Sequence, residues 1–162
     1  MKRVLLSLLI AALPALSAAR SLPVGDAGLR SALQAAESGA TDFGLPASHP
    51  LWPWLEQASL RKRIDRLSTA DADRFLQTQA GQPAGEAFRD AWLTQLAKRG
   101  DWTGFLSSWQ PREDTALRCA HLQAQAATGK ADADWDRRVQ ALWRDAGTSL
   151  PLACDPVFAA LE

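Results

Sequence analysis

The chain has 162 residues, with 18 basic and 18 acidic side chains and two histidines. That length suits one domain with its own hydrophobic core. The zero net charge removes the field that would draw the chain to nucleic acid, which is not expected as a partner.

The amino terminus carries Lys2 and Arg3, an apolar run over residues 4–16 interrupted by Ser7 and Pro14, and then the small residues Ser17, Ala18 and Ala19. This is the three-part pattern of a secretory signal. The apolar run holds 13 residues, whereas a membrane-spanning helix needs roughly 20. Residues 1–19 are therefore expected to be cleaved near Ala19, leaving residues 20–162 as one exported domain. No cysteine follows the run to accept a lipid, so no membrane anchor is expected after cleavage. Removing Lys2 and Arg3 leaves 16 basic against 18 acidic side chains.

Cys119 and Cys154 are the two cysteines. An even count in an exported chain favours a disulfide, with two separately buried thiols as the alternative. Two distant cysteines with the isolated His49 and His121 do not make a metal site. No metal and no cofactor are expected.

Apolar residues recur at helical spacing and no stretch alternates for long, so the exported part is expected to be all-α. A first helix begins after Asp26, runs through Leu29, Leu33 and Ala36, and ends at Gly39. A second follows the Pro-rich segment 45–50 and carries Leu51, Trp52, Trp54, Leu55, Leu60 and Ile64. Thr69 is placed as the cap of a third, through Phe75 and Leu76, with Gly81 as its stop and Pro83 as the next start. The fourth has Phe88, Trp92, Leu93 and Leu96 on one face, Lys98 and Arg99 in its last turn, and Gly100 beyond it.

Asp101 caps a short fifth helix with Trp102, Phe105, Leu106 and Trp109, ending before Pro111. The sixth, over residues 114–128, is rich in alanine and would let a neighbour approach closely. The seventh has Trp135, Val139, Leu142 and Trp143 on one face. Asp155 and Pro156 read as N-cap and first residue of an eighth. Gly100, Asp101 and Trp102 are echoed by Gly129, Asp134 and Trp135, with the two tryptophans 33 residues apart. That spacing fits helix-turn-helix repeats, hence an α-superhelix or solenoid of short antiparallel helix pairs.

Chemistry is sparse. No nucleophile triad, phosphate loop or metal cluster is present. The seven tryptophans could stack on sugars, but most stand at core spacing with leucine and phenylalanine. Arg61, Lys62, Arg63 and Arg66 read as a solvated helix face, and His121 as a packed or half-exposed histidine. Glycosidic cleavage requires a carboxyl group with a raised pKa in an apolar cleft. Glu56, Glu86 and Glu113 are placed on polar faces or caps, where each stays ionised. No catalytic residue is assigned.

Four ordered segments nevertheless resemble the soluble lytic murein transglycosylases. They are His49 to Glu56 (HPLWPWLE), Ala91 to Trp102 (AWLTQLAKRGDW), Glu113 to Cys119 (EDTALRC) with Ala127 to Lys130 (ATGK), and Leu142 to Phe158 (LWRDAGTSLPLACDPVF). The resemblance implies a helical superhelix, a Cys119–Cys154 disulfide, a periplasmic location and a place in peptidoglycan turnover. In that family the helical part contributes to a ring through which glycan strands are thought to pass. A separate lysozyme-like domain carries the catalytic glutamate in a Glu-Ser-x-Phe motif followed by Gly-Leu-Met-Gln. Glu37 and Ser38 are followed here by Gly39 and Ala40, so they do not match. The expectation is an incomplete helical segment without the catalytic domain, inert by itself, meeting glycan strands through a full-length enzyme. The alternative is a stand-alone periplasmic module that holds a protein partner.

Overall fold

A computed structural model describes residues 25–147 and 150–161. The expected signal peptide, residues 1–19, lies outside the described residues. All regular structure among them is helical: α1 Asp26–Ser38, α2 Trp52–Lys62, α3 Thr69–Thr78, α4 Pro83–Arg99, α5 Trp102–Ser108, α6 Thr115–Ala127, α7 Trp135–Asp145 and α8 Asp155–Ala159, with 3-10 turns at Ile64–Arg66 and Leu152–Cys154. None of these helices is long and apolar enough to cross a membrane.

The helices pack largely in the order of the chain: α1 on α2, α2 and α3 on α4, α4 on α5 and α6, then α6 on α7 and α8. Three apolar clusters follow in the same order. The first joins Ala32, Ala36, Phe43, Leu45 and Leu55. The second, around Phe88, Trp92, Leu93, Leu96 and Phe105, is the largest. The third joins Cys119, Leu122, Trp135, Val139, Leu142, Cys154 and Val157. Such near-neighbour burial is the packing logic of a superhelical array, where each layer covers the next.

The four apolar residues placed on one face of α4 are all fully buried, because α4 is covered by α2, α3, α5 and α6 together. Its last turn has a specific use for Arg99. The guanidinium donates to the carbonyl oxygens of Ile64 at 2.6 Å and Leu67 at 3.3 Å and lies 5.3 Å from the Trp92 ring centroid. It therefore closes the carboxy end of a neighbouring 3-10 turn rather than only complementing the dipole of its own helix.

The repeated Gly…Asp-Trp pattern is visible as geometry. Gly100 and Gly129 take the left-handed conformation, with φ of 70° and 66°, and the tryptophan after each aspartate opens the next helix. The caps differ in detail. Asp101 accepts from the Gly104 amide at 2.9 Å, whereas Asp134 makes no side-chain cap and pairs with Arg137 at 2.6 Å.

Several local expectations are corrected. Ser68, not Thr69, caps α3: its hydroxyl accepts from the Asp71 amide at 3.1 Å, which requires the extended backbone that Ser68 adopts. Ile64 has left α2 and sits in the following 3-10 turn. Asp155 is already helical, so the cap of α8 is Cys154. Leu33 is 45% exposed while Ala32 and Ala36 are fully buried, so it is α1 that approaches its neighbour through alanines. Trp143 is 55% exposed. At 100° per residue it stands about 80° around α7 from Trp135, at the edge of the apolar face, where it meets the Phe158 ring edge-on at 4.8 Å.

Candidate functional site

An open groove of about 800 Å³ lies on the surface of the bundle. Its walls are α4 and α6. On α4, Ala87, Ala91 and Thr94 recur every three or four residues, and on α6 Ala116 and Ala120 do the same. Small side chains on two facing helices leave the space that larger ones would fill. Part of the alanine set of α6 thus opens a groove instead of seating a helix. Trp102, half-buried at the start of α5, contributes an aromatic surface.

The groove is apolar below and charged at the rim. Arg61 and Lys98 bring positive charge, Asp90 and Asp114 negative. Asp114 also caps α6 by accepting from the Leu117 amide at 2.9 Å, and Asp90 is paired with Arg112 at 2.7 Å. Opposite charges on an open apolar trough suit a neutral, hydroxyl-rich or amide-rich ligand better than a strongly charged one. Of the basic run, Arg61 alone reaches this groove; Lys62 and Arg66 are exposed, and Arg63 is half-buried.

The carboxylates weighed as acids lie elsewhere. Glu56 on α2 is half-buried, and its pKa is raised by that burial, with Arg63 opposing. It does not stay as fully solvated as its polar-face position implies, because α2 is packed between α1 and α4. Glu56 nevertheless does not line the groove. Glu86 accepts from Arg112 at 2.7 Å. Glu113 is exposed, and so is Glu37 beside the shallow surface formed with Lys62.

Cys119 of α6 and Cys154 of the second 3-10 turn are joined in a disulfide, with Cα atoms 5.0 Å apart and both residues fully buried. The link holds α8 against α6, next to Ala153 and Pro156 at the end of the groove. A one-turn helix, too short to persist alone, is thereby fixed in place.

A second, smaller pocket of about 290 Å³ lies between the segment after α5, α6 and α7. Sequence reasoning did not find it. Its aromatic wall is the stack of Trp109 on His121, 4.2 Å apart and nearly parallel, and Trp109 is in turn stacked at 5.6 Å on the buried ring of Phe105 in the core. Arg112, Arg118 and Arg138 also line it. The legible signal was the three-residue spacing of Arg118 and His121 on a helix; what joins them to Arg112 and Arg138 is tertiary. No three His, Cys, Asp or Glu side chains converge on one point among the described residues.

No family model matches the chain, and no solved structure does. Curated proteins do match. The chain is 28% identical over 112 residues to the Soluble lytic murein transglycosylase of Salmonella typhimurium strain LT2, and 27% identical over 112 residues to the proteins of that name from Escherichia coli K12 and O157:H7. The match covers 68% of this chain but 17% of each relative. Over those 112 residues, this all-α chain is a homologue of part of the soluble lytic murein transglycosylases.

Proposed function

We propose that residues 20–162 form a periplasmic helical segment that serves peptidoglycan turnover by holding or framing a glycan strand, after cleavage of a signal peptide at residues 1–19. The 112-residue homology carries this reading. The α4–α6 groove is its place on the molecule: an open, apolar trough with an indole at one side and mixed charge at the rim offers the stacking and polar contacts that a pyranose chain uses. In this reading the segment frames the strand without cutting it, since the two carboxylates that line the groove are engaged, Asp90 with Arg112 at 2.7 Å and Asp114 with the Leu117 amide at 2.9 Å.

Co-sedimentation of the purified protein with murein sacculi tests the proposal. The protein is expected to pellet with the sacculi and to release no soluble muropeptides. Thr94→Trp, which fills the groove from its exposed wall, is expected to leave the protein in the supernatant with an unchanged far-UV spectrum. Failure of the unaltered protein to pellet would sink the glycan reading, and release of muropeptides would sink the non-catalytic one.

A second reading, a stand-alone module that docks a periplasmic protein, is favoured by one feature. Trp143, Leu152 and Leu161 are exposed around α7 and α8, Leu152 to 85%, and apolar surface of this kind marks contact sites. Capture of a partner that Leu152→Asp abolishes, with no affinity for sacculi, would favour this reading.

A further inference from the structure

The pocket behind α6 is distinct from the groove. Ala116, Ala120 and Gln123 face the groove, whereas Arg118, His121 and Leu122 face the pocket. At 100° per residue these two sets fall on opposite sides of the helix.

Its lining contains three arginines and no carboxylate. Their charges are not equally engaged. Arg112 is paired with both Glu86 and Asp90, each at 2.7 Å. Arg138 holds Asp132 at 2.8 Å and donates to the Gln125 side-chain carbonyl at 3.1 Å. Arg118, half-buried on α6, makes no ion pair among the described residues. One guanidinium is thus left with its charge and its fork of donors available in a partly enclosed space, where a carboxylate is bound more strongly than in water. Beside these arginines His121 has its pKa lowered, first by burial and then by the charge of Arg138.

The rest of the lining is apolar. Leu122 and Leu142 are buried, and Ala141 and Pro111 complete the wall beside the Trp109–His121 stack. A bare inorganic anion would leave this surface wet and unused, so the ligand should carry a compact apolar group next to its charge.

We propose that this pocket binds the free carboxyl end of a short peptide with small aliphatic side chains, the carboxylate meeting Arg118 and the side chain resting on Leu122 and Leu142. The site does not rest on the glycan reading, which concerns the other face of α6. It commits to a chemistry that two sources supply: the D-alanine-ended stem peptides of peptidoglycan and the L-residue carboxy terminus of a protein.

Calorimetric titration of the full purified protein with N-acetyl-D-alanyl-D-alanine, with its L,L counterpart, and with the amide of each, tests this. At least one acid is expected to bind, its amide at least about tenfold more weakly, as loss of a charge-assisted bidentate contact requires. Tighter binding of the D,D acid assigns the site to wall peptides, and of the L,L acid to a protein terminus; each supports a carboxylate site. Arg118→Ala should weaken binding by about tenfold or more, with Arg118→Lys keeping part of it. The acid-against-amide comparison uses the unaltered protein, so it does not depend on a variant's folding. Equal binding of acid and amide, no binding of either acid, or full binding by Arg118→Ala overturns the proposal.

Discussion

The indole N–H of Trp135, the first residue of α7, donates to the main-chain carbonyl oxygen of Leu122 in α6 at 2.9 Å. Trp135 is buried with Val139 and Leu142, so one side chain supplies both apolar area and the polar contact that sets α7 on α6. Trp135→Phe removes the contact and some volume while keeping an aromatic ring. The expected loss is about 1–3 kcal/mol, measured by urea unfolding, and a smaller change than Trp135→Ala, at about 3–5 kcal/mol.

The disulfide links residues 35 apart in sequence. Closing a loop of that size stabilises the fold by about 4 kcal/mol in the chain-entropy model. The Cys119→Ser, Cys154→Ser double variant should lose stability of that order. Its hydrogen exchange should rise most in α8 and the adjoining 3-10 turn, because those short elements depend on α6 for support. Equal loosening of α1 and α2 would contradict that account.

Gly85 in the first turn of α4 sits where a Cβ would run into the carbonyl oxygen and side chain of Gln79, at the end of α3. Backbone cannot give way as a side-chain tip can. Gly85→Ala is therefore expected to destabilise by about 1–3 kcal/mol, although alanine has the higher helix propensity. A gain in melting temperature would show that the α3–α4 approach is looser than the geometry indicates.

The lowered pKa of His121 has a pH consequence. Burial disfavours the imidazolium in the folded state, and Arg138 adds to it, so below its ordinary value, about 6.5, the unfolded chain binds more protons there than the folded one. The stability this neutral histidine contributes is fully present above that value and declines as pH falls toward the lowered one. Glu56 works the other way: its raised pKa, from burial despite Arg63, favours the folded state as pH falls toward the carboxylate range. Melting curves between about pH 7.5 and about pH 5.5 should fall more steeply for the unaltered protein than for His121→Phe, which keeps the ring stacked on Trp109. Parallel curves would remove His121 from the account.

Much of the fold was legible in advance because it is local. Positive-φ glycines, capping aspartates and prolines at helix starts are decided within a few residues, and α4 shows how completely a 3.6-residue apolar period can be realised when helices cover it on several sides. Trp143 and Leu33 show the limit. Each lies at the margin of an apolar stripe, and whether a margin is covered depends on which neighbour arrives there, which for Trp143 is the edge of the Phe158 ring.

The sequence by itself determined the all-helical character of the described residues, the order of the helices with their boundaries to within a residue or two, and the family resemblance that the homology bears out. The groove and the arginine pocket belong to tertiary structure alone. Alanines 87, 91, 116 and 120 become a groove only when α4 and α6 face each other, and Arg112, Arg118 and Arg138 share a pocket only because α7 folds back on α6. Periodicity fixes which way a side chain points from its own helix, but the relation between helices depends on burial across the whole core.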